Sequence, residues 1–253
     1  MRILLTFLIF PALARAQSPD RAVDESVFDD YDLESMKSGE FTIQETVIEK
    51  PGEDGKAVKS GHRDRKACVK ADKEKVWIEI SSWGLEAKKA DSVTLCEVDR
   101  KSRKVLKAWV SEKGAVGVEA KVEAPEPPAE SGKPKWLSGA NSASRAQENV
   151  TAGKRVVPCD GLKMDWYHPD KDLKTIHESL NVWFSAAVPF RLRLDDEAVR
   201  WKYMIAEDVN RDLKVSKALV KWDSSGEVEK VKSKETRSVV DFGTDAKPVV
   251  KTK

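Results

Sequence analysis

The sequence contains no apolar run that could cross a bilayer, because a spanning helix needs about 20 consecutive apolar residues. Its most apolar stretch, Ile3 to Phe10, is too short for that and follows the basic residue Arg2. Ala14-Arg15-Ala16 then supplies the small-x-small pattern that a signal peptidase cleaves. We therefore expect residues 1–16 to be a signal peptide, cleaved near Ala16, and the mature chain to be secreted or periplasmic.

The chain also lacks a large excess of positive or negative charge. The chain has 45 Lys and Arg residues against 43 Asp and Glu residues. Arg2 and Arg15 belong to the expected signal peptide, so the mature chain would carry equal numbers of the two signs. Nucleic-acid binding depends on clustered basic side chains that neutralise phosphates. We therefore expect no nucleic-acid partner.

Cysteine is scarce for a chain sent to an oxidising compartment. Cys68, Cys96 and Cys159 are an odd set of three, so at most one internal disulfide can form and one thiol is left over. The pairing stays open. Cys96 lies in an apolar strand-like stretch, where a buried cysteine acting as a small hydrophobe is the usual case.

Catalytic and metal-binding motifs are absent as well. His62, His168 and His177 are the three histidines, and none stands near a G-x-S-x-G nucleophile. Three local patterns have weaker catalytic or metal-binding interpretations. They are an acidic turn around His168 that could hold a cation, a Cys159-Asp160-His177 thiol site, and an acid pair in Asp195-Asp196-Glu197. Turn chemistry and solvated charge explain them better, so we expect no metal, no cofactor and no catalytic residue.

Apolar and polar residues instead alternate with the period of two that a half-buried strand requires. Val76, Ile78 and Ile80 fall on one face of such a strand, and Trp77 and Glu79 on the other. The same alternation predicts further strands at Phe41 to Glu49, Val93 to Asp99, Val105 to Ser111, Arg145 to Thr151, Val156 to Leu162 and Leu219 to Trp222. Turns are predicted between them at Arg100 to Arg103, Ala152 to Arg155, where Gly153 supplies a positive φ, and Asp223 to Gly226.

One stretch fits both a helix and a strand. Leu173, Ile176, His177 and Leu180 match helical spacing. Over a longer window, β-branched and aromatic residues alternate with polar ones, which favours a pleated surface. We predict a hairpin of Lys163 to Tyr167 and Lys174 to Ala186, with its turn at His168 to Asp172.

The organisation follows from these elements. Loosely helical apolar spacing from Asp24 to Lys37 predicts a short helix within a lead-in of residues 17–40. A β domain then covers residues 41–244, with an exposed proline-rich loop at 123–135, and a loose tail follows at 245–253. Crossover helices are missing, so the fold class is mainly β, an open or half-closed curved antiparallel sheet with a short N-terminal helix. A loop within one sheet is favoured at 123–135 over a domain boundary.

Tryptophan is the abundant residue, with eight in the chain. Most lie in or beside predicted strands, several opposite the aliphatic set. They could simply cover the second face of the sheet. Alternatively they line an apolar groove for a lipid or another hydrophobic ligand, with indole N–H groups at its rim. The candidate ligand-binding residues are Trp77, Trp109, Trp183 and Trp201.

Three phrases of the sequence resemble exported bacterial proteins built on a curved antiparallel sheet, of the outer-membrane lipoprotein carrier type. They are the run from Met36 to Phe41, the run from Val98 to Leu106, and Trp183 to Phe190. Where related sequences often carry a Gly-Gly pair after the third phrase, this chain has Arg191 to Asp196. The resemblance implies an apolar concavity that could shelter acyl chains.

These observations favour a non-catalytic extracytoplasmic protein that binds a lipid or another hydrophobic ligand. A structural or adhesion module that binds an envelope protein is the alternative. An exported hydrolase or thiol enzyme is a weaker third interpretation.

Overall fold

A computed structural model describes residues 22–52, 56–112, 114–124, 142–169, 175–196, 199, 215–228 and 231–252. The expected signal peptide and almost all of the proline-rich loop lie outside these residues. The described chain forms one sheet of twelve strands. The strands are β1 Ala22–Asp24, β2 Phe41–Pro51, β3 Ala57–Ala71, β4 Lys75–Gly84, β5 Ser92–Asp99, β6 Val105–Glu112, β7 Val118–Glu123, β8 Ser142–Ala152, β9 Arg155–Pro169, β10 Thr175–Ser185, β11 Ala218–Val228 and β12 Val231–Gly243.

The sheet consists of two meanders placed side by side. Its strand order is β1-β7-β6-β5-β4-β3-β2-β12-β11-β10-β9-β8, so the pairing of β2 with β12 joins the two. The expectation of a mainly β protein with an open, curved sheet is confirmed. One pairing departs from the antiparallel expectation, because the short edge strand β1 runs parallel to β7.

The hairpins predicted from alternation form as expected. β5 pairs with β6, β8 with β9, and β9 with β10, all antiparallel. His168 is opposite Ile176, so the strand interpretation of the ambiguous stretch is confirmed. The turn predicted at His168 to Asp172 is wrong at its start, because His168 and Pro169 continue β9, and its other residues lie outside the described part of the chain. Gly153 has a φ of 62° in the β8–β9 turn, as its position predicted.

The turn predicted at Asp223 to Gly226 is wrong. These residues continue β11, and Ser224 is opposite Leu180 on one side and Glu235 on the other. Ser224 is buried, and the Ser225 hydroxyl lies 2.7 Å from that of Ser179. Pairing with two neighbouring strands therefore overrides the turn-forming composition of this segment.

The helix predicted from Asp24 to Lys37 is not found, since β1 ends at Asp24 and turns occupy residues 25–30. The amides of Val27 and Tyr31 donate three residues back, to the carbonyls of Asp24 and Phe28, so this stretch forms separate turns. Further along, the Arg100 guanidinium donates to three carbonyl oxygens of the same stretch. These belong to Leu33, Glu34 and Met36.

Two apolar clusters lie on one face of the sheet, which we call the front face and define by Val76, Ile78 and Ile80. Irregular segments at residues 25–37 and 186–196 cover it, and we call them the covering layer. The first cluster comprises Leu162, Met164, Leu180, Val182, Phe184, Leu192, Leu194, Val199 and Trp222. The second comprises Phe28, Leu33, Met36, Cys68, Val76, Ile78, Ile80, Cys96, Val98, Val105, Ala108 and Phe190.

The two segments of the covering layer are bonded to each other. The Asp32 amide donates to the Arg191 carbonyl, and the Arg193 amide donates to the Asp30 carbonyl, both at 2.9 Å. The rings of Tyr31 and Phe190 meet edge to face, with centroids 6.2 Å apart. The layer is therefore held by its own main chain and by apolar packing, without a strand inserted into the sheet.

The tail from Asp245, predicted to be loose, has an irregular conformation but is anchored on the opposite face of the sheet. Glu79, which is fully buried, accepts hydrogen bonds from the amides of Val249 and Val250 at 2.6 and 2.7 Å. Arg65 contacts the other carboxylate oxygen at 3.3 Å. One buried carboxylate thus joins β4, β3 and the tail.

Replacing Glu79 should test this anchor. Glu79→Ala leaves Arg65 and two main-chain amides without their acceptor, so we expect the free energy of unfolding in urea to fall by about 3 kcal/mol. The matched control is Glu123→Ala, whose ion pair with Lys121 is largely exposed, and it should change the same quantity by less than about 0.5 kcal/mol. Equal effects of the two variants would contradict the anchoring role.

One added methyl group in the β8–β9 turn should also lower the stability of the fold. A Cβ at Gly153 would lie 2.2 Å from the Val240 carbonyl oxygen, whereas a Cβ at Gly114, also at positive φ, would meet nothing within 4 Å. Gly114→Ala should therefore cost only the backbone strain of about 1 kcal/mol, and Gly153→Ala about 2 to 4 kcal/mol. Urea unfolding of both variants measures the difference, and equal losses would mean that the hairpin tip does not pack against β12.

Candidate functional site

A cluster of charged side chains interrupts the apolar front face between the two clusters. Strand register brings them together, because Thr46 of β2 is opposite His62 of β3 on one side and Arg237 of β12 on the other. Alternate residues of a strand share a face. The front-face polar cluster therefore consists of His62, Asp64 and Lys66 from β3 and Glu235 and Arg237 from β12.

His62 and Asp64 form an ion pair at the centre of this cluster, with His62 Nε2 3.1 Å from Asp64 Oδ2. The hydrogen bond that His62 donates to Asp64 raises the pKa of His62 more than partial burial lowers it. Burial by itself would raise the pKa of the Asp64 carboxyl, but the hydrogen bond and the charge of His62 outweigh it, so that pKa is lowered. The pair is therefore most strongly charged in mildly acidic solution.

Lys66 connects the cluster to the covering layer. Its Nζ lies 5.6 Å from the centroid of the Tyr31 ring. Burial lowers the pKa of Lys66, but interactions with Tyr31 and with the Asp64 carboxylate outweigh this, and the net pKa is raised. Lys66 is thus a permanent cation under the segment that carries Tyr31.

Arg237 is held on both sides. Its guanidinium donates to Glu235 Oε1 through Nε at 2.9 Å, with a second nitrogen at 2.8 Å from the same oxygen. It also lies 4.8 Å from the centroid of the Trp222 ring, a cation–π contact. Since Trp222 belongs to the first apolar cluster, Arg237 is the point where charged and apolar surfaces meet.

One cross-strand row carries this change of polarity across the sheet. His62, Thr46, Arg237, Trp222, Val182 and Leu162 follow one another on β3, β2, β12, β11, β10 and β9. A molecule with a polar end and an apolar body matches such a row, because each part meets a surface of its own polarity.

The candidate tryptophan residues that the structure describes lie on the face opposite the front face. Trp77 and Trp109 are half-buried on the face opposite the front face, and Lys70 Nζ lies 4.1 Å from the Trp77 ring centroid. Trp183 is 6% exposed, donates from Nε1 to Glu148 at 3.0 Å and is covered by Lys221 at 4.7 Å. Trp201 lies outside the described residues. Ligand binding by these four residues stays a prediction.

The weaker catalytic and metal patterns are placed as follows. Cys159 is buried, and His177 is opposite Tyr167 on the neighbouring strand, well along β9 from Cys159. Burial and the charge of Asp160 raise the pKa of the Cys159 thiol to about 11. All three cysteines are free and buried. Within the described ranges, no group of three His, Cys, Asp or Glu residues could hold a metal ion.

Sequence reasoning missed the polar cluster because it missed β3. The strand Ala57–Ala71 has polar residues on both faces over His62 to Lys66, so it lacks the apolar alternation on which strand prediction depends. The one available signal was the spacing of His62, Asp64 and Lys66 at every second position. That spacing identifies a face only after the strand is known.

No family model matches the chain, and no curated protein matches it. Solved structures do. A hypothetical protein of Chlamydia trachomatis has a TM-score of 0.35 and 9% identity over 87% of this chain and 94% of that one. A Bacteroides fragilis protein described as exported, with a YmcC-like fold, has a TM-score of 0.32 and 10% identity over 85% and 99%.

A third similar structure is a Vibrio parahaemolyticus domain described as outer-membrane lipoprotein-sorting, with a TM-score of 0.25 and 8% identity over 83% of this chain and 87% of that one. The resemblance stated from the sequence is confirmed, since exported and lipoprotein-sorting proteins are among these matches. These TM-scores do not indicate a shared ligand or partner. Among the residues that the structure describes, no helix is long and apolar enough to cross a membrane.

The His62–Asp64 pair predicts a pH dependence of stability. Because the pKa of His62 is raised above its usual 6.5, its contribution is complete below about pH 6.5 and is lost as the pH rises through the raised value. The lowered pKa of Asp64, usually 3.8, makes its contribution complete above about pH 4. The pair therefore stabilises the fold most between these limits.

An NMR titration of the histidine ring protons measures this directly. The resonance of His62 should titrate above its usual pKa in the wild type and at a lower pH in Asp64→Asn. Glu45→Gln is the matched control, because Glu45 pairs with Arg63 on the other face of the sheet, and it should leave the His62 titration unchanged. An identical His62 titration in the wild type and in Asp64→Asn would show that Asp64 does not raise the pKa of His62.

Proposed function

We propose that the protein is a non-catalytic extracytoplasmic binding protein for an amphipathic ligand of the lipid class, which lies on the front face. The observation that carries the proposal is the cross-strand row that runs from His62 and Arg237 to Val182 and Leu162. The polar end of the ligand lies at the front-face polar cluster. Its apolar body takes the place of the covering layer over the first apolar cluster.

The apolar part of this site is occupied by the protein's own side chains in the structure. Leu192 and Leu194 of the covering layer pack on Val182 and Leu162. These contacts come from an irregular segment that forms no strand of the sheet. Its main chain makes isolated bridges only at Leu192, which pairs with Tyr31 and with Lys217. The ligand and the segment 186–196 therefore compete for one surface, and binding requires the segment to move.

This competition gives a direct test. Leu194→Ala removes a fully buried contact of the covering layer, so the uncovered state becomes more populated and the affinity for a fluorescent long-chain fatty acid should rise about fivefold. Val188→Ala is the matched control, because Val188 lies in the same segment and is also buried but packs in a separate cluster near β12. That variant should leave the affinity unchanged.

Native mass spectrometry of the secreted chain, residues 17–253, purified without detergent, tests the proposal independently. A reproducible added mass in the lipid range supports it, and Arg237→Gln should reduce the bound fraction several-fold relative to Lys59→Gln, an exposed control. A bare mass, together with no fatty-acid binding by the wild type or by Leu194→Ala, would rule it out.

A second candidate is an adhesion or structural module, favoured by one observation. β8 is an edge strand of eleven residues and pairs, among the described strands, only with β9. An edge of that length can accept a strand from a partner protein. A positive charge introduced at exposed Gln147, as Gln147→Lys, should weaken capture of such a partner from envelope extracts and leave fatty-acid binding unchanged.

A further inference from the structure

The three cysteines are all free thiols that are buried in apolar clusters. Cys68 and Cys96 belong to the second apolar cluster, and both are fully buried. Cys159 is 4% exposed and packs in the separate cluster that contains Val188. The fold therefore uses each thiol as a small apolar side chain.

The strand register rules out a disulfide between Cys68 and Cys96. Both residues are opposite Ile78, with Cys68 on β3 at one side of β4 and Cys96 on β5 at the other. Because neighbouring strands are about 4.8 Å apart, the two Cα atoms are about 10 Å apart. A disulfide joins Cα atoms that are less than about 7 Å apart, so this pair could bond only if β4 left the sheet.

Cys159 cannot bond to either of the other cysteines while the sheet is intact. β9 pairs on both sides without a bulge, so its side chains alternate regularly between the two faces. Leu162 is on the front face, and Cys159, three positions earlier, is therefore on the opposite face. Cys68 and Cys96 share the front face with Ile78. A disulfide to Cys159 would have to pass through the sheet, so none of the three pairings fits the fold.

Burial also makes the thiols unreactive in the folded protein. It raises the pKa of the Cys68 and Cys96 thiols to about 12, and the charge of Glu40 adds to the effect at Cys68. Disulfide exchange proceeds through the thiolate, which is scarce in such a group. The folded chain is thus protected by poor access and by a raised pKa, and unfolding removes both protections.

We propose that the protein folds only with its three thiols reduced, so that an internal disulfide formed beforehand prevents the native sheet from forming. The oxidant is a small disulfide such as oxidised glutathione. One cysteine thiolate displaces a glutathione thiolate and forms a mixed disulfide, and a second cysteine thiolate then displaces the other glutathione. Two protein thiols and one oxidised glutathione become one protein disulfide and two glutathione thiols.

The chain is exposed to this reaction for as long as the two meanders remain apart. Their junction pairs β2 with β12, near the two ends of the described chain, and pairing between such distant segments is slow. Cys68 and Cys96 are the nearest pair along the sequence. Since a short loop closes more readily than a long one, the Cys68–Cys96 disulfide should form most often. A chain that folds after export therefore needs reduced thiols until the sheet is complete.

Oxidation of the unfolded mature chain, residues 17–253, tests the inference. The chain is treated with oxidised glutathione in urea and alkylated, and mass spectrometry identifies molecules with one internal disulfide and no glutathione adduct. After removal of urea these molecules should not regain the near-ultraviolet circular dichroism that reports native packing. Dithiothreitol should restore that signal, because it regenerates the thiols.

The folded protein is the control for the same treatment. Without urea, it should keep all three thiols, and these should react with a maleimide at least about a thousandfold more slowly than in urea. Rapid labelling of the folded protein would overturn the inference. So would native dichroism of the oxidised wild type after urea is removed.

Three single substitutions test each disulfide separately. Cys68→Ala, Cys96→Ala and Cys159→Ala each leave one pair of cysteines, and each variant should fold when reduced and fail to fold when oxidised. Native dichroism of an oxidised variant would show that its pair fits the sheet and would contradict the inference. The wild-type comparison before and after dithiothreitol decides the inference even if a variant does not fold. These outcomes are independent of lipid binding, so they leave the proposed function to its own tests.

Discussion

The pairing of β2 with β12 is the interaction on which the rest of the structure depends. It joins two meanders whose other pairings connect strands within the same meander. Its register places Thr46 opposite Arg237, and side chains on a strand alternate between faces. A slip of one residue would move Arg237 to the other face of the sheet. The front-face polar cluster and the continuous row across the sheet exist only in this register.

Over residues 25–37, irregular chain covers the front face where the sequence predicted a short N-terminal helix. Two irregular segments bury Phe28 and Leu33 at one end and Leu192 and Leu194 at the other, and they bond to each other where they meet. Main-chain groups in such segments need local partners, which Asp24, Asp32 and Arg100 supply.

Charged groups between the two apolar clusters are satisfied mainly in pairs. His62 with Asp64 and Arg237 with Glu235 lower the cost of burying charge, because each partner supplies the hydrogen bonds that water would otherwise make.

Local patterns predicted the parts of the fold that are local. Alternation and a Gly153 turn specify the β8–β9 hairpin, because neighbouring residues alone fix its register. Prediction failed where distant contacts decide. Asp223 to Gly226 have turn composition but pair with two strands at once, and Asp24 to Lys37 have helical spacing but form turns that pack Phe28 and Leu33 into the second apolar cluster.

The sequence by itself determined a mainly β chain of successive hairpins. Tertiary structure alone decided that β1 joins β7 in parallel, that β2 meets β12, and that His62, Asp64 and Lys66 lie beside Arg237. The physical reason is the range of the interactions. A hairpin is set by the turn that closes it, whereas strands far apart in the chain find their register through the total surface that they bury together.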